Sequence, residues 1–120
     1  FSKRVELLRA GLREFLSNAR TQGKTICGLG ASTKGNVILQ YCGITEQELP
    51  VIGEVNNDKF GCFTPGTLIP ICSEDELLAR KPDYLLVLPW HFRSFFMQQK
   101  KFHKSKLVFP LPRLEVVGNG

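Results

Sequence analysis

The beginning of the chain carries apolar residues at the spacing of an α-helix. Apolar side chains recur at steps of three and four positions, at Val5, Leu8, Leu12, Phe15, Leu16 and Ala19. Charged residues such as Arg9 and Arg13 fall on the opposite side of the same helix. The pattern predicts an amphipathic helix that ends at Gln22 and Gly23, because glycine readily adopts the left-handed backbone that terminates helices.

Short apolar segments farther along the chain predict β-strands. Strands are expected at residues 24–29, 50–55, 84–88 and 106–109, with a shorter extended piece at 67–71. The continuous apolar run at 84–88 is typical of a strand that is buried on both faces of a parallel sheet. After the strand at 106–109, we expect a proline-broken tail from Pro110 to Pro112.

Helical spacing recurs between these segments. It predicts helices at residues 34–41, after residue 73 and at 91–102. Ser73 and Glu76 have the spacing of a capping box, in which each side chain satisfies a free amide at the helix start. Four phenylalanines share one face of the last helix and are expected to pack in the core: Phe92, Phe95, Phe96 and Phe102.

Alternating strands and helices predict a small Rossmann-like α/β domain. Its three layers are a mostly parallel sheet of about five strands and helices on both faces, joined by right-handed crossovers. We expect residues 24–120 to form this domain and residues 1–23 to form a helix that links it to an upstream domain. Such sheets bind ligands at the carboxyl ends of their strands.

Composition narrows the class of protein but not its ligand. The chain has 120 residues, of which 42% are hydrophobic, so it can fold without a metal or a disulfide. Its net charge of +5 suits phosphates, nucleic acid or anionic lipid equally. The four cysteines lie at least ten positions apart, which does not fit a zinc site and favours free thiols in a reducing compartment.

Localisation and completeness are inferred from the apolar runs and the first residues. No apolar run has the length of a membrane span, and the first residues lack the apolar core of a signal peptide. We therefore expect a cytoplasmic protein that has no membrane partner. The chain starts at Phe1 without methionine and enters a helical pattern at once, so we expect it to be a piece of a longer protein.

The glycine loop, Gly28–Gly35, carries the main candidate site. It lies between the first predicted strand of the sheet and the helix that follows, where main-chain amides and the helix dipole favour an anion such as diphosphate. The candidate residues are Gly30, Ala31, Ser32, Thr33, Lys34, Gly35 and Asn36. Their spacing matches neither the dinucleotide fingerprint nor the P-loop, so a purely structural tight turn is the alternative.

Two further residues are candidates at the same edge of the sheet. Glu54 follows the second predicted strand, where a Rossmann-like domain often places a carboxylate that binds ribose. His91 follows the strand at 84–88, where an imidazole could contact substrate. A solvated charge is the alternative for Glu54, and a hydrogen-bonding or capping role is the alternative for His91.

Lysines and phenylalanines alternate near the last predicted helix in a way that superficially resembles an RNA-binding stripe. The basic residues of this stripe are Lys100, Lys101, His103, Lys104 and Lys106. Because the phenylalanines are expected to face the core and the lysines to be solvated, we do not expect a nucleic-acid partner.

The sequence resembles the C-terminal domain of sugar C-methyltransferases that use S-adenosylmethionine. Separate motifs carry the resemblance in the same order, at Gly30–Asn36, Tyr41–Ile44, Thr64–Thr67, Ile69–Ile71 and Pro82–His91. Glu54 stands where the family has an aspartate, and Asn56-Asn57 replaces its Asn-Pro. The glycine loop matches the family's motif, so the resemblance implies that it contributes to binding a nucleotide diphosphate sugar.

The resemblance also implies a larger enzyme around this chain. An N-terminal zinc domain and a central S-adenosylmethionine domain would precede it, and the enzyme would methylate C3 of a nucleotide-linked 4-keto-deoxysugar. The 4-keto group acidifies the C3 proton, and the enolate formed attacks the methyl group. The catalytic and methyl-donor residues would lie in the central domain, so no catalytic residue and no bound cofactor is expected here. The alternative is a stand-alone nucleotide-binding or sensor module without catalysis.

Overall fold

Six strands form one sheet in the computed structural model, which describes residues 3–111 and 114–118, with side chains from Glu6 onward. The strands are β1 (Ile26–Leu29), β2 (Ile52–Glu54), β3 (Ile71–Ser73), β4 (Tyr84–Val87), β5 (Lys106–Phe109) and β6 (Glu115–Val117). Their order is β3-β2-β1-β4-β5-β6. All neighbours are parallel except β5 and β6. The predicted α/β class with a mostly parallel sheet is confirmed.

Helices cover both faces of this sheet. They are α1 (Lys3–Thr21), α2 (Thr33–Cys42), α3 (Glu74–Ala79) and α4 (Arg93–Met97). One apolar cluster joins α1 and α2 to the sheet and a second joins α3 and α4 to its other face. The helices on one face, the sheet and the helices on the other face are the three layers expected for a Rossmann-like domain. Within the described residues, no helix has the length and apolar character needed to span a membrane.

The helix ends follow the predicted capping chemistry. Ser73 Oγ accepts a hydrogen bond from Glu76 N at 3.1 Å, which confirms the Ser73 half of the predicted capping box. Gly43, with φ of 68°, closes α2 in the left-handed conformation. Arg13 of α1 donates from Nη1 to Cys42 O at 2.7 Å, which ties α1 to the end of α2.

The prediction for the last helix and its phenylalanines is partly wrong. Instead of one helix over 91–102, a 3₁₀ turn at Trp90–Phe92 precedes the short α4, and a second at Lys100–Phe102 follows it. Phe96 and Phe102 are buried, whereas Phe92 is 56% exposed and Phe95 is 60% exposed. Because the segment is divided into three short elements, the four rings do not share one continuous helical face.

Two other predictions are corrected near the sheet edges. The extended piece expected at 67–71 overlaps β3 only at Ile71, because Leu68 has φ of 56° and makes a turn that ends with Thr64 N donating to Ile69 O. The strand at 106–109 is not the last, since β6 follows the predicted tail and pairs antiparallel with β5. Within that tail, Pro112 lies outside the described residues.

Candidate functional site

The carboxyl edge of the sheet brings two loops together beside its central strands. The glycine loop leads from β1 into α2, and Gly30 within it has φ of 84°. A Cβ atom at Gly30 would lie 2.7 Å from Pro89 Cδ in the segment after β4. β1 and β4 are parallel neighbours. The helix that follows β1 is α2 and the helix that follows β4 is α4, and these two helices pack on opposite faces of the sheet. Open α/β sheets bind ligands at such a position, so the glycine loop lies where a site is expected.

Several main-chain amides of the glycine loop donate to acceptors within the protein. Gly30 N donates to Gly53 O at 2.8 Å, and Ser32 N donates to Gly30 O at 3.0 Å. The Ser32 side chain caps α2, because its Oγ accepts from Gly35 N at 3.0 Å. These bonds hold the loop in one conformation. They also use amides that were expected from the sequence to bind an anion.

The amides of Thr33 and Lys34 differ from the rest of the loop. These residues open α2, where amides have no acceptor in their own helix, and no hydrogen bond from either amide is found within the described residues. Both side chains are exposed. The ten-residue helix adds the partial positive charge of its start, and the Lys34 ammonium adds a full one. This arrangement suits an anion such as phosphate.

Glu54 folds back onto the glycine loop. Its Oε1 accepts from Ala31 N at 2.9 Å, and its Oε2 accepts from Val55 N at 2.8 Å and Asn56 N at 2.9 Å. Lys59 Nζ lies 3.9 Å from the same Oε1 and donates to Ala31 O at 2.8 Å. A carboxylate offers about four acceptor positions, and three of those of Glu54 are used by main-chain amides. Contact between Glu54 and a ribose stays a prediction.

Replacing Glu54 by glutamine tests whether the carboxylate holds the loop. The amide group would turn a donor towards main-chain donors and weaken the charge-assisted bonds, so we expect the free energy of unfolding to fall by about 1 kcal/mol. Urea unfolding measures this change. The exposed Glu46→Gln is the control and should change stability by less than about 0.5 kcal/mol. Equal stabilities of the two variants would remove Glu54 from this structural role.

Asn36 binds the turn at residues 64–67. Its Nδ2 donates to Pro65 O at 3.0 Å, and its Oδ1 accepts from Thr67 Oγ1 at 2.9 Å. Gln40, one turn farther along α2, donates to Pro65 O at 2.8 Å. The hydroxyl groups of Thr64 and Thr67 contact each other inside the turn. These bonds hold the turn beside the start of α2 and give Asn36 a positioning role.

Two cavities meet at Ala31, Ser32 and Lys59, which line both. The loop cavity, of about 280 Å³, is also lined by Thr33, Asn36, Phe63 and Pro65. The aromatic cavity, of about 310 Å³, is also lined by Pro89, Phe92, Phe95 and Gln99. A third cavity, of about 480 Å³, lies at the opposite edge of the sheet, against the start of β1, and shares no residue with the glycine loop.

His91 lies at the carboxyl end of β4, where the sequence places it. Its side chain is exposed and packs between two rings, with centroid distances of 5.7 Å to Trp90 and 4.3 Å to Phe92. It is not among the residues that line the two cavities at the glycine loop. A contact between His91 and substrate stays a prediction.

Burial makes three of the four cysteine thiols poor nucleophiles near neutral pH. Burial raises the pKa of Cys27 to about 11, and burial also raises the pKa of Cys42 and of Cys72. Among residues 3–111 and 114–118, no group of three potential ligands from histidine, cysteine, aspartate and glutamate could hold a metal ion.

These features define a Rossmann-like domain whose α2 start is suited to an anion. Residues 1–112 match the family model for the C-methyltransferase C-terminal domain. The chain is also 33% identical over 120 residues to C-methyltransferase NovU from Streptomyces niveus, and the match covers 98% of this chain and 29% of that protein. The chain belongs to the C-methyltransferase C-terminal domain family.

Three residues at the site were missed from the sequence. Phe92 and Phe95 were expected to pack in the core, and Lys59 was not a candidate. No local pattern indicates that the Lys59 side chain returns to Ala31. The sequence spacing of the exposed Phe92 and Phe95 does not differ from that of buried phenylalanines, so their exposure is seen only in the tertiary structure.

Proposed function

We propose that this chain is the C-terminal part of an S-adenosylmethionine-dependent C-methyltransferase and that it binds the diphosphate of a nucleotide-linked sugar. The observation that carries the binding proposal is the pair of amides at Thr33 and Lys34, which have no acceptor among the described residues. Family membership supports the transferase assignment. The two cavities beside Ser32 offer space for groups on either end of a diphosphate.

The chain would bind and orient substrate while upstream domains carry out the chemistry. In this proposal, residues 1–23 connect residues 24–120 to a methyltransferase domain earlier in the same polypeptide. α1 buries Leu12 and Leu16 against the sheet, so a domain attached to α1 would be held in a defined orientation. Binding the diphosphate at α2 would then fix the position of the sugar relative to the methyl donor, which lowers the entropic cost of bringing them together.

The methyl donor is assigned to the upstream domain in this proposal, because the chain belongs to the family of C-terminal domains and spans 29% of C-methyltransferase NovU.

Replacing Lys34 by alanine tests the diphosphate site. The loss of one charged hydrogen bond should weaken the binding of thymidine 5′-diphosphate by about 1–3 kcal/mol, measured by titration calorimetry. Folding should be little affected, since the Lys34 side chain is exposed. Lys24→Ala is the matched control, because Lys24 is also exposed but lines the cavity at the opposite edge of the sheet. Equal affinities of the unaltered chain and Lys34→Ala would exclude Lys34 from the site.

A further inference from the structure

We propose that the cavity at the amino edge of the sheet binds a small organic anion that carries two or more carboxylate groups. This amino-edge cavity has a volume of about 480 Å³, and its wall includes Arg13, Ser17, Arg20, Lys24, Gln47 and Glu48. It lies against the start of β1 and shares no residue with the glycine loop. It is therefore a second site, separate from the one in the proposed function.

Positive charge around the amino-edge cavity is not neutralised by the protein. Arg13, Arg20 and Lys24 line it, and in the described part of the chain no carboxylate lies within ion-pair distance of these side chains. Glu48 also lines it, but its Oε2 accepts hydrogen bonds from Thr45 Oγ1 at 3.1 Å and from Thr45 N at 3.3 Å. Like charges around one concave surface repel each other, and a bound anion would relieve that repulsion.

The Arg13 side chain is anchored at the wall of this cavity. Its Nη1 donates to Cys42 O at 2.7 Å and to Gly43 O at 3.1 Å. Among residues 3–111 and 114–118, its Nε and Nη2 find no acceptor. These two nitrogens form an edge of the guanidinium that can donate two parallel bonds to a carboxylate. Because Nη1 is already bound, less side-chain entropy is lost when an anion binds that edge.

Arg20 and Lys24 add two more cationic groups. Arg20 is seven positions after Arg13, which is about two helical turns, so both lie on one face of α1. Lys24 lies in the short connection between α1 and β1. Two guanidinium groups whose Cα atoms are about 10 Å apart along the helix, with an ammonium beside them, suit a molecule that has more than one carboxylate.

Main-chain amides at this edge already have acceptors, which disfavours phosphate. Lys24 N donates to Ala19 O at 2.8 Å, and Thr25 N donates to Asp83 Oδ2 at 2.8 Å. Phosphate sites on loops and at helix starts are built from main-chain amides that point at the ligand. The amino-edge cavity offers side-chain cations instead.

Apolar side chains form part of the wall, which favours an organic ligand. Leu16 and Ile26, which are 5% and 6% exposed, line the cavity together with Pro50. The cavity volume is in the range of small-molecule sites. A carbon skeleton would cover these side chains while its carboxylates contact the cations, whereas an inorganic anion has no apolar part to cover them.

Titration of the 120-residue chain with citrate, followed by amide chemical shifts, tests this inference. Citrate has a carbon skeleton and several carboxylates that are ionised near neutral pH. It should shift amides around the amino-edge cavity, at Ser17, Lys24, Thr25 and Gln47. The double variant Arg20→Gln, Lys24→Gln should bind citrate at least about 10-fold more weakly, because each substitution removes a charged hydrogen bond.

The double variant Lys100→Gln, Lys104→Gln is the matched control. It removes the same number of positive charges from exposed side chains that line neither this cavity nor the two at the glycine loop. At physiological salt it should change the citrate affinity by less than about twofold, since exposed charges away from the ligand are screened. Arg13 is left unaltered because it ties α1 to the end of α2. Circular dichroism should show that every variant is folded.

Glu48→Gln gives a readout that loss of structure cannot imitate. Removing this negative charge from the wall should tighten citrate binding by about twofold or more, because the carboxylate repels the anion. Weaker binding by this variant would contradict an anion site in the amino-edge cavity.

The remaining outcomes decide the location and the ligand class. The site would be overturned if millimolar citrate left the amides around the cavity unmoved, or if Arg20→Gln, Lys24→Gln bound citrate as tightly as its control. Pyrophosphate that bound there as tightly as citrate would overturn the assignment to carboxylates. None of these results depends on the start of α2, so this inference and the proposed function can fail separately.

Discussion

Replacing Leu86 by alanine should lower the free energy of unfolding by about 2–5 kcal/mol. Leu86 lies in β4, one of the central strands, with Gly28 and Val108 as its cross-strand neighbours. Its side chain is 1% exposed and belongs to the apolar cluster under α1 and α2. Truncation removes buried methyl groups and leaves a cavity that the surrounding sheet can fill only in part.

Leu7→Ala is the matched control for this substitution. Leu7 is 70% exposed on α1, so the same chemical change should alter stability by less than about 0.5 kcal/mol. Urea unfolding of the two variants and the unaltered chain provides the comparison. If Leu86→Ala were as stable as Leu7→Ala, the packing of β4 against α1 and α2 would be wrong.

Replacing Gly35 by alanine should destabilise the protein by about 3 kcal/mol. A Cβ atom at Gly35 would lie 2.4 Å from Leu88 Cβ and 3.0 Å from Leu88 Cα, so the contact is with atoms that cannot rotate away. It would also lie 2.9 Å from Ser32 Oγ, which caps the helix. The first turn of α2 would have to move away from the sheet, and the Thr33 and Lys34 amides would move with it.

The same substitution at Gly11 should have the opposite sign. Gly11 lies in the middle of α1, and a Cβ atom there would have no neighbour within 4 Å. Alanine should therefore stabilise the protein by about 0.5–1 kcal/mol, because it restricts the unfolded chain and favours helix. Thermal unfolding of both variants measures the contrast. If Gly35→Ala were also stabilising, α2 would not pack on β4 as closely as described.

Regular periodic segments of the fold could be predicted from the sequence. β5 was expected at 106–109 and is found as Lys106–Phe109, and α2 was expected at 34–41 and is found as Thr33–Cys42. In these segments burial and local pattern agree, since one apolar face of α2 packs on the sheet and the apolar run of β5 is buried on both faces of the sheet. The prediction of one helix over 91–102 was wrong because 3₁₀ turns at Trp90–Phe92 and Lys100–Phe102 flank the short α4, so the segment has no single helical face.

The candidate site was predictable in position but not in detail. The order of strands and helices placed the glycine loop and His91 at the carboxyl edge of the sheet, because this follows from the topology alone. The bond between Ala31 N and Glu54 joins residues 23 positions apart, and that between Lys59 and Ala31 spans 28 positions. No local pattern in the sequence encodes such pairs. The hydrogen bonds from main-chain amides to Glu54 could therefore be identified only from the structure.

Amide chemical shifts during titration with thymidine 5′-diphosphate show directly whether the start of α2 binds the diphosphate. The Thr33 and Lys34 amides should shift most, with smaller changes at Ala31 and Ser32, and pyrophosphate should reproduce the shifts at the start of α2. The opposite result would be a start of α2 that stays unmoved at millimolar ligand, whether or not resonances elsewhere in the chain respond.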